Sequence, residues 1–234
     1  MVSMMESAIE QEFDTLEGVN VDETVRLRKR DLEIFLERLT GFKTPSPRLE
    51  QYPVSARVAA EMIWIANFRN DIFQRKIVEL GCGTGKLAVA CALLGASHVT
   101  GIDIDSSIIK IARTNSGRLG LQNQLSWVCG DIEVIRATSL FDVVVMNPPF
   151  GIRGPERDIR FLNHAMKLAF VIYSLHLGRQ KNRTYISEVV AKRGFTIDFV
   201  SRMAMDIPHL FSFHQKRRHP IAVDLYRIIQ ISKT

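Results

Sequence analysis

The chain has 234 residues, of which 46% are hydrophobic and 24% charged, which suits one globular domain and excludes fibrous, collagen-like and low-complexity classes. Its longest apolar stretch, Leu87 to Ala96, is far shorter than the roughly 18 residues of a membrane-spanning helix, so we expect no membrane association. The net charge of +6 is uneven: residues 1–25 hold seven acidic and no basic side chains, and the remaining residues carry +13.

The acidic N-terminal segment contains few large apolar residues and shows no helical or strand periodicity. Such a composition is typical of disordered chain, so we predict a disordered acidic tail over residues 1–24 and a single domain over residues 25–234. Each Lys or Arg that meets a phosphate releases condensed counterions, and the basic domain therefore favours a polyanionic partner. A well-solvated basic surface without such a partner is the alternative that charge alone leaves open.

Apolar spacing predicts alternating helices and strands after the tail. The predicted helices cover residues 25–39, 55–68, 87–94, 106–115, 161–167 and 183–193, and the predicted strands cover residues 76–80, 99–103, 125–129, 141–146, 170–175, 196–202 and 221–229. Strands flanked by helices at this rhythm indicate a parallel sheet covered on both faces. A segment with Pro208 joins the last two strands, which indicates a hairpin. We therefore predict an α/β fold, a Rossmann-like doubly wound sheet with an antiparallel terminal hairpin.

A glycine-rich segment, Leu80-Gly-Cys-Gly-Thr-Gly85, follows the first strand and opens a helix. Such a loop lets the backbone approach a ligand closely. A P-loop would need Gly at position 80 and Ser or Thr at position 87, both of which are Leu, and a dinucleotide fingerprint would need Gly where Lys86 stands. The interpretation that remains is the G-x-G-x-G loop of an S-adenosylmethionine site, formed by Gly81, Gly83 and Gly85. A turn that serves only tight strand-to-helix packing is the alternative.

Two acidic residues stand at the ends of the next two predicted strands. Asp103 ends the second strand, where a carboxylate can accept hydrogen bonds from both ribose hydroxyls of a nucleoside. Helix capping is the other role for an acid in this segment, and Asp105 suits it better. Asp131 follows the third strand, where it can accept the adenine amino group while the N–H of Ile132 meets a ring nitrogen. Three strand ends thus converge on one nucleoside.

The segment Asn147-Pro148-Pro149-Phe150 follows the fourth predicted strand. Two prolines fix the backbone, so the Asn147 carboxamide and the Pro148 carbonyl are aimed at one place without an entropy cost on binding. These two acceptors match the two N–H donors of an exocyclic amine and hold its nitrogen toward a sulfonium methyl, while Phe150 stacks on the base. A Pro-Pro turn without function is the alternative, which the glycine loop and the two acids disfavour.

These motifs carry a resemblance to a known family. The sequence resembles class I methyltransferases of the Asn-Pro-Pro-Phe type, and among them it is similar to the methyltransferase-like protein five family, from about Val25 to Ile228. The Asn-Pro-Pro-Phe motif marks only the broad class. Leu49-Glu-Gln-Tyr-Pro53 and Tyr173-Ser-Leu-His176 are far more specific, and the other segments that carry the likeness are Leu80 to Gly85, Gly101 to Asp105 and Asp206 to Pro208 with Phe213 and His214.

The resemblance implies a seven-stranded class I methyltransferase sheet and transfer of a methyl group from S-adenosylmethionine to N6 of an adenosine in small-subunit (18S) ribosomal RNA. It implies that Asn147 to Phe150 hold the target adenine. With the glycine loop, it implies a cofactor site formed by Gln51, Gly81, Gly83, Thr84, Gly85, Asp103, Asp131, Ile132 and Asn147. It also implies an obligate heterodimer with a small zinc-binding activator subunit that pairs with an edge of the sheet.

The sequence departs from the family's pattern at several positions. Val54 stands where a cofactor-contacting Thr is frequent, so only its backbone could serve, and Thr84 replaces a frequent Cys. Residues 152–158 are shorter and more basic than the family's loop, and the acidic tail has no counterpart. Protein glutamine N5-methylation, DNA adenine methylation and a catalytically idle RNA-binding subunit are the alternative functions. Phe150 and the basic surface disfavour the first, and the intact motifs disfavour the last.

Residues 211–219 interleave aromatic and basic side chains, as an RNA-contacting loop would. We expect RNA contact through Lys216, Arg217 and Arg218, with a solvated hairpin tip as the alternative. The histidines lack ligand spacing, so no metal site is predicted in the chain. The N-terminus does not read as a secretory signal and the three cysteines suggest a reducing compartment, so we expect a protein of the nucleus and cytoplasm.

Overall fold

The structure, a computed structural model, describes residues 27–42, 46, 49–135, 141–150, 157–208 and 218–231. It contains one seven-stranded mixed sheet with helices on both faces, as the sequence predicts. The predicted acidic tail lies outside the described residues, and the predicted domain boundary stays a prediction. Within the part of the chain that the structure describes, no helix is long and apolar enough to cross a bilayer.

Among the residues that the structure describes, two helices precede the first strand, and strands then alternate with helices up to the terminal hairpin. In chain order the elements are α1 (Lys29–Glu37), α2 (Ala56–Phe68), β1 (Lys76–Leu80), α3 (Lys86–Leu93), β2 (His98–Asp103), α4 (Ser106–Arg118), β3 (Leu125–Cys129), a 3₁₀ turn (Ile132–Val134), β4 (Val143–Met146), α5 (Arg157–Leu168), β5 (Val171–Leu177), α6 (Gln180–Ala191), β6 (Phe195–Pro208) and β7 (Arg218–Gln230). The strand order is β3-β2-β1-β4-β5-β7-β6. Strands β1 to β5 are parallel, and β7 runs antiparallel between β5 and β6.

The central strands are buried on both faces, which explains their continuous apolar sequence. In β4, Val143 and Val145 face a core layer that includes α1, α2 and α3, whereas Val144 and Met146 face the layer of α5 and α6. Helix starts follow local capping rules: the Ser55 hydroxyl accepts a hydrogen bond from the N–H of Val58 at the start of α2. The alternating burial fixes the register of the sheet and hence where each strand ends.

The terminal hairpin is longer than the sequence predicts. Pro208 is the last residue of β6, where it lies opposite Arg218, rather than part of the connecting segment. Because β6 is an edge strand, Pro can stand there without removing a ladder hydrogen bond from the sheet interior. The helix expected at residues 161–167 also begins earlier, at Arg157, and the helix expected at residues 183–193 begins at Gln180 and ends at Ala191.

A largely buried polar network joins the end of α2 to the antiparallel part of the sheet. The Asp71 carboxylate accepts hydrogen bonds from the Tyr173 hydroxyl at 2.7 Å and from Arg227 Nε at 2.8 Å. Arg227 also donates to Asp198 on β6 at 2.7 Å. Burial, together with the hydrogen bond to Asp71, raises the pKa of the Tyr173 phenol. The network therefore fixes the added hairpin against the N-terminal helices.

We expect Asp71→Ala to lower the free energy of unfolding by about 3 kcal/mol, because it leaves the Arg227 charge and the Tyr173 hydroxyl buried without their shared acceptor. Tyr173→Phe is the matched control, since it keeps the ion pair and removes only the hydrogen bond from the phenol to the Asp71 carboxylate, for a loss of about 1.5 kcal/mol. Urea denaturation of the two variants measures both values. If Asp71→Ala lowers the free energy of unfolding by no more than Tyr173→Phe does, the network does not fix the hairpin against the N-terminal helices.

Candidate active site

The carboxyl ends of β1 to β4 meet around a cavity of about 360 Å³. It lies where the strand order reverses between β1 and β4, the position at which open α/β sheets bind ligands. Each of the four strands contributes a residue just after or at its end. These are Gly81 after β1, Asp103 at the end of β2, Asp131 after β3 and Asn147 after β4. The parallel arrangement thus brings together side chains that are far apart in the sequence.

The structure places most of the predicted site residues on the wall of this cavity. Nine lie there: Gln51, Gly81, Gly83, Thr84, Asp103, Asp131, Ile132, Asn147 and Pro149. Three predicted residues that the structure also describes, Gly85, Pro148 and Phe150, do not line the cavity wall. The contribution of these three to binding stays a prediction. Of the predicted RNA-contacting residues, Lys216, Arg217 and the side chain of Arg218 lie outside the described part of the chain.

Gly85 and Phe150 are held by packing rather than exposed to the cavity. Gly85 begins α3 with a φ of 84°, and a Cβ on it would lie 2.4 Å from the Trp127 ring. Only glycine fits there. At this position the glycine therefore serves close packing between the loop and Trp127, which is the alternative that the sequence left open. Phe150 is 7% exposed and belongs to the core layer that includes α2 and α3. That Phe150 stacks on a base stays a prediction.

Asp103 ties the glycine loop to the end of β2. Its Oδ2 accepts the N–H of Gly83 at 2.8 Å, and its Oδ1 accepts the N–H of Asp105 at 3.0 Å. Burial raises the pKa of Asp103, and these backbone hydrogen bonds offset part of the rise. Each carboxylate oxygen has a second lone pair that a hydroxyl group could use. As the sequence predicts, Asp105 is the residue that caps the following helix, by accepting the N–H of Ser107.

Asp131 is held by a side chain that the sequence analysis did not identify. Arg160 on α5 donates from Nη2 to Asp131 Oδ1 at 2.6 Å and from Nε to Glu133 at 3.2 Å. Asp131 Oδ1 also accepts the N–H of Glu133 at 3.0 Å. Partial burial opposes ionisation of Asp131, but these contacts outweigh it and lower the pKa. Helical periodicity indicates which face of α5 is buried, but not that Arg160 reaches the neighbouring turn.

Asn147 has one half of its carboxamide bound and the other half buried without a partner. Its Nδ2 donates to the carbonyl oxygen of Tyr52 at 3.1 Å. Its Oδ1 is buried and has no hydrogen-bond partner among the described residues. A buried acceptor of this kind is rare in native proteins and calls for a ligand donor or another explanation. The Leu-Glu-Gln-Tyr-Pro segment therefore orients the amide of the Asn-Pro-Pro-Phe segment.

The segment before α2 forms one wall of the cavity through polar contacts. Gln51 accepts the N–H of Ser46 at 2.6 Å and donates to Asp105 Oδ2 at 3.0 Å. Lys86, in the first turn of α3, donates to the carbonyl oxygen of Val54 at 2.9 Å. Burial lowers the pKa of this ammonium group. The sequence predicts that Val54 can contact the cofactor through its backbone only. In the structure the carbonyl oxygen of Val54 is bound by Lys86.

Glu79 is a buried acid on the cavity wall that the sequence analysis did not assign a role. It is 3% exposed, and its Oε2 accepts the N–H of Ala88 at 2.8 Å. Burial raises the pKa of Glu79 well above its ordinary value. The sequence signal was available, because a glutamate interrupts an otherwise apolar buried strand. Burial also raises the pKa of the Cys82 thiol, which keeps that group protonated and fits a packing role.

The Tyr-Ser-Leu-His segment forms a hydrogen-bonded chain within the core. The Ser174 hydroxyl lies 2.8 Å from His176 Nε2, and His176 Nδ1 lies 3.2 Å from the Asp158 carboxylate on α5. His176 is 1% exposed and packs edge-on against Tyr226. Its role here is to connect β5 to the start of α5. In the part of the chain that the structure describes, no group of three or more His, Cys, Asp or Glu side chains could hold a metal ion.

Comparison with known proteins identifies the fold and the family. The family described as a methyltransferase domain matches residues 77–169. The rRNA N(6)-adenosine-methyltransferase METTL5 of Danio rerio is 33% identical over 206 residues, which cover 86% of this chain and 98% of that protein. The Drosophila melanogaster rRNA N(6)-adenosine-methyltransferase Mettl5 is 33% identical over 215 residues, covering 86% of this chain and 96% of that protein. The chain belongs to this methyltransferase family.

A solved structure agrees with this assignment. The crystal structure of a candidate RNA methyltransferase from Pyrococcus horikoshii has a TM-score of 0.82 and 33% identity, covering 88% of this chain and 98% of that chain. The chain is therefore an S-adenosylmethionine-dependent methyltransferase with a class I fold, as the sequence predicts. The cavity fits this cofactor, because the glycine loop and the carboxylates of Asp103 and Asp131 line it together at the carboxyl ends of the strands.

We expect Glu79→Gln to become more stable relative to the wild-type protein as the pH rises. Because the folded-state pKa of Glu79 is raised, its stabilising contribution is complete at low pH and is lost as the pH rises from 4.5 through the folded-state pKa. Glutamine does not titrate and keeps the acceptor for the N–H of Ala88. Urea denaturation from about pH 4 to about pH 8 measures the difference.

Glu188→Gln, on the exposed face of α6, is the control for a general effect of removing a negative charge. If the stability of Glu79→Gln relative to the wild-type protein falls or stays constant as the pH rises, the assignment of a raised pKa to Glu79 is contradicted.

Proposed function

We propose that this chain transfers a methyl group from S-adenosylmethionine to N6 of an adenosine in small-subunit (18S) ribosomal RNA. We further propose that it acts as the catalytic subunit of a heterodimer with a small zinc-binding activator. The observation that carries the reaction is that Asn147 lines the cavity and that its buried Oδ1 has no hydrogen-bond partner among the described residues. The family membership and the net charge of +13 after residue 25 support an RNA substrate.

The target nitrogen of adenine is a poor nucleophile because its lone pair is delocalised into the ring. In the proposed complex, Asn147 Oδ1 accepts one N6–H and the carbonyl oxygen of Pro148 accepts the other. Two acceptors on one amine favour the tetrahedral geometry in which the lone pair is localised and points at the methyl carbon. Tyr52 keeps the Asn147 amide in this orientation before the substrate arrives, which reduces the ordering cost at the transition state.

When bound, S-adenosylmethionine supplies an electrophilic methyl group on its sulfonium sulfur. We assign its ribose hydroxyls to Asp103 and its adenine amino group to Asp131. Both hydrogen bonds that Asp131 accepts in the described structure end on Oδ1, which leaves Oδ2 to accept the amino group. The nitrogen that has gained a methyl group carries a positive charge and loses one of its two protons to water, because neither an amide oxygen nor a carbonyl oxygen is basic enough to keep it.

The substrate adenine must leave any duplex to reach this cavity, since its amino group is otherwise paired. We propose that Lys216, Arg217 and Arg218 contact the RNA from the end of the terminal hairpin, a prediction made from the sequence alone. We also keep the prediction that the protein works in the nucleus and cytoplasm. Imaging of the tagged full-length chain tests that location, and co-purification of a small partner with bound zinc tests the heterodimer.

The reaction is tested by incubating the full-length chain with labelled S-adenosylmethionine and separate samples of ribosomal RNA, DNA and protein, with and without the activator. Nucleoside analysis should find N6-methyladenosine in small-subunit ribosomal RNA. Label on a protein glutamine or on DNA adenine would instead support one of the two alternative substrates of the same four-residue motif. Absence of label in every sample, with cofactor binding intact, would support the catalytically idle alternative.

We expect Asn147→Ala to reduce methyl transfer by at least about 100-fold, because it removes the oriented acceptor for the target amine. Cofactor affinity should stay within a few-fold of the wild-type value, since the glycine loop and Asp103 are unchanged. Single-turnover methylation and calorimetric titration of the cofactor measure the two quantities. Asn67→Ala, on α2, is the matched control and should leave both unchanged. Undiminished transfer by Asn147→Ala would refute the assigned role.

A further inference from the structure

A buried carboxylate on β7 is bound by two arginines from different elements. Asp224 is fully buried, and it accepts hydrogen bonds from Arg183 Nε at 2.7 Å and Arg183 Nη2 at 2.8 Å. Arg202 on β6 donates a third hydrogen bond from its Nε at 3.1 Å. The hydrogen bonds from Arg183, followed by those from Arg202, lower the pKa of Asp224 despite its burial. Asp224 is therefore ionised at neutral pH and holds both guanidinium groups in place.

The two arginines carry more positive charge than the buried carboxylate needs. One bidentate arginine neutralises Asp224, so the second leaves the cluster with a net charge of +1. Both guanidinium-bearing side chains reach the surface: the Arg183 side chain is 36% exposed and the Arg202 side chain 53% exposed. Arg179 and Lys181, at the start of α6, are also exposed. The surface next to Asp224 is therefore basic, although its innermost charge is negative.

The backbone around the cluster is also shaped to hold it. Arg202 Nη2 donates to the carbonyl oxygen of Gly178 at 2.9 Å. A Cβ on Gly178 would lie 3.2 Å from Asp224 Oδ1 and equally close to the carbonyl oxygen of Ala222, so a side chain there would crowd the carboxylate. Arg202 is thus fixed at both Nε and Nη2. A guanidinium held in this way loses less conformational entropy when it binds a further anion than a free arginine does.

The cluster lies on the same side of the sheet as the active-site cavity, at the carboxyl ends of the parallel strands. Met146, the last residue of β4, is opposite Ser174. Asp224 is opposite His176, two residues further toward the carboxyl end of β5, and Arg202 is opposite Asp224. Neighbouring strands are about 4.8 Å apart, which puts Asp224 and Arg202 roughly 10 and 14 Å across the sheet from the end of β4. Nucleotides next to an adenosine flipped into the cavity would have their phosphates within this range.

We propose that the Arg183–Asp224–Arg202 cluster is a phosphate-binding site that holds the RNA backbone beside the target adenosine. The proposal rests on the proposed function, since it concerns the same substrate. A planar guanidinium presents paired N–H donors that match the oxygens of a phosphate. Asp224 keeps these donors at a fixed place relative to the sheet, and the sheet also fixes Asn147. The site would therefore set the position of the RNA backbone relative to the acceptor of the target amine.

Arg202→Gln tests the site, because Arg183 still makes two hydrogen bonds to Asp224 in this variant. The probe is an adenosine-containing single-stranded RNA that the wild-type full-length protein methylates. We expect its dissociation constant to rise roughly three- to ten-fold and the slope of log affinity against log salt to fall by about 0.7. Cofactor affinity should not change, because Arg202 does not line the cavity. Arg193→Gln, in the exposed turn between α6 and β6 at the opposite edge, is the matched control and should change neither RNA affinity nor slope.

An Arg202→Gln variant with unchanged RNA affinity and salt slope would overturn the proposal and leave the cluster a purely structural ion pair. If its denaturation midpoint falls by more than a few degrees, Arg202→Lys replaces it. Lysine keeps the charge and loses the planar fork, so it should retain the salt slope while RNA affinity falls about two-fold; unchanged affinity would again overturn the proposal. A wild-type protein that methylates no RNA would reject the proposed function itself, which separates the two failures.

Discussion

The hydrogen bond from Asn147 Nδ2 to the carbonyl oxygen of Tyr52 joins two parts of the chain that are 95 residues apart. It prevents the carboxamide from turning over, and so Oδ1 stays buried without a hydrogen-bond partner among the described residues. A buried acceptor in that state costs about 1–3 kcal/mol, which a substrate amine recovers on binding. The unpaired acceptor lowers the stability of the free protein, and this favours binding of a ligand that brings an N–H donor.

Similar long-range contacts connect the rest of the cavity wall to the sheet. Asn115 on α4 accepts the N–H of Thr40 and donates to the carbonyl oxygens of Thr40 and Thr84. Lys86, which follows the glycine loop directly, donates to the carbonyl oxygen of Val54. These contacts make the segment before α2, the glycine loop and the end of β4 parts of one unit. The class I sheet supplies the strand ends, whereas the segment before α2 supplies a cavity wall that these hydrogen bonds hold in place.

Acidic and basic side chains lie in different regions at the carboxyl ends of the strands. The acidic side chains Glu79, Asp103 and Asp131 lie at the strand ends around the cavity, and Arg160 pairs with Asp131 there. Positive side chains lie further along the same edge, where Arg183 and Arg202 surround the ionised Asp224. The antiparallel hairpin, fixed by Asp71 and Arg227 against the N-terminal helices, supplies Arg202 and Asp224 to this basic surface, and α6 supplies Arg183. The hairpin therefore extends the sheet past the cofactor site into a region suited to a polyanionic substrate.

How much the sequence predicts depends on how local the determining interaction is. Apolar periodicity predicts the strands because a strand buried on both faces needs a continuous apolar run, and β1 and β3 match their predicted bounds residue for residue. The end of β6 was missed, because Pro208 argues against a strand except at an edge, and edges are set by the whole sheet. Pairing between distant side chains, such as Arg160 with Asp131, has no local signal at all.

By itself, the sequence determined the alternation of elements, the glycine loop and the placement of acids after consecutive strands, because these depend on spacing along one stretch of chain. Only the tertiary structure decided that Tyr52 orients Asn147, that Glu79 is buried as an acid of raised pKa, and that Phe150 packs into the core. Those outcomes depend on which distant groups share a buried space. Burial and hydrogen bonding are properties of that shared space, and no single segment of the sequence contains them.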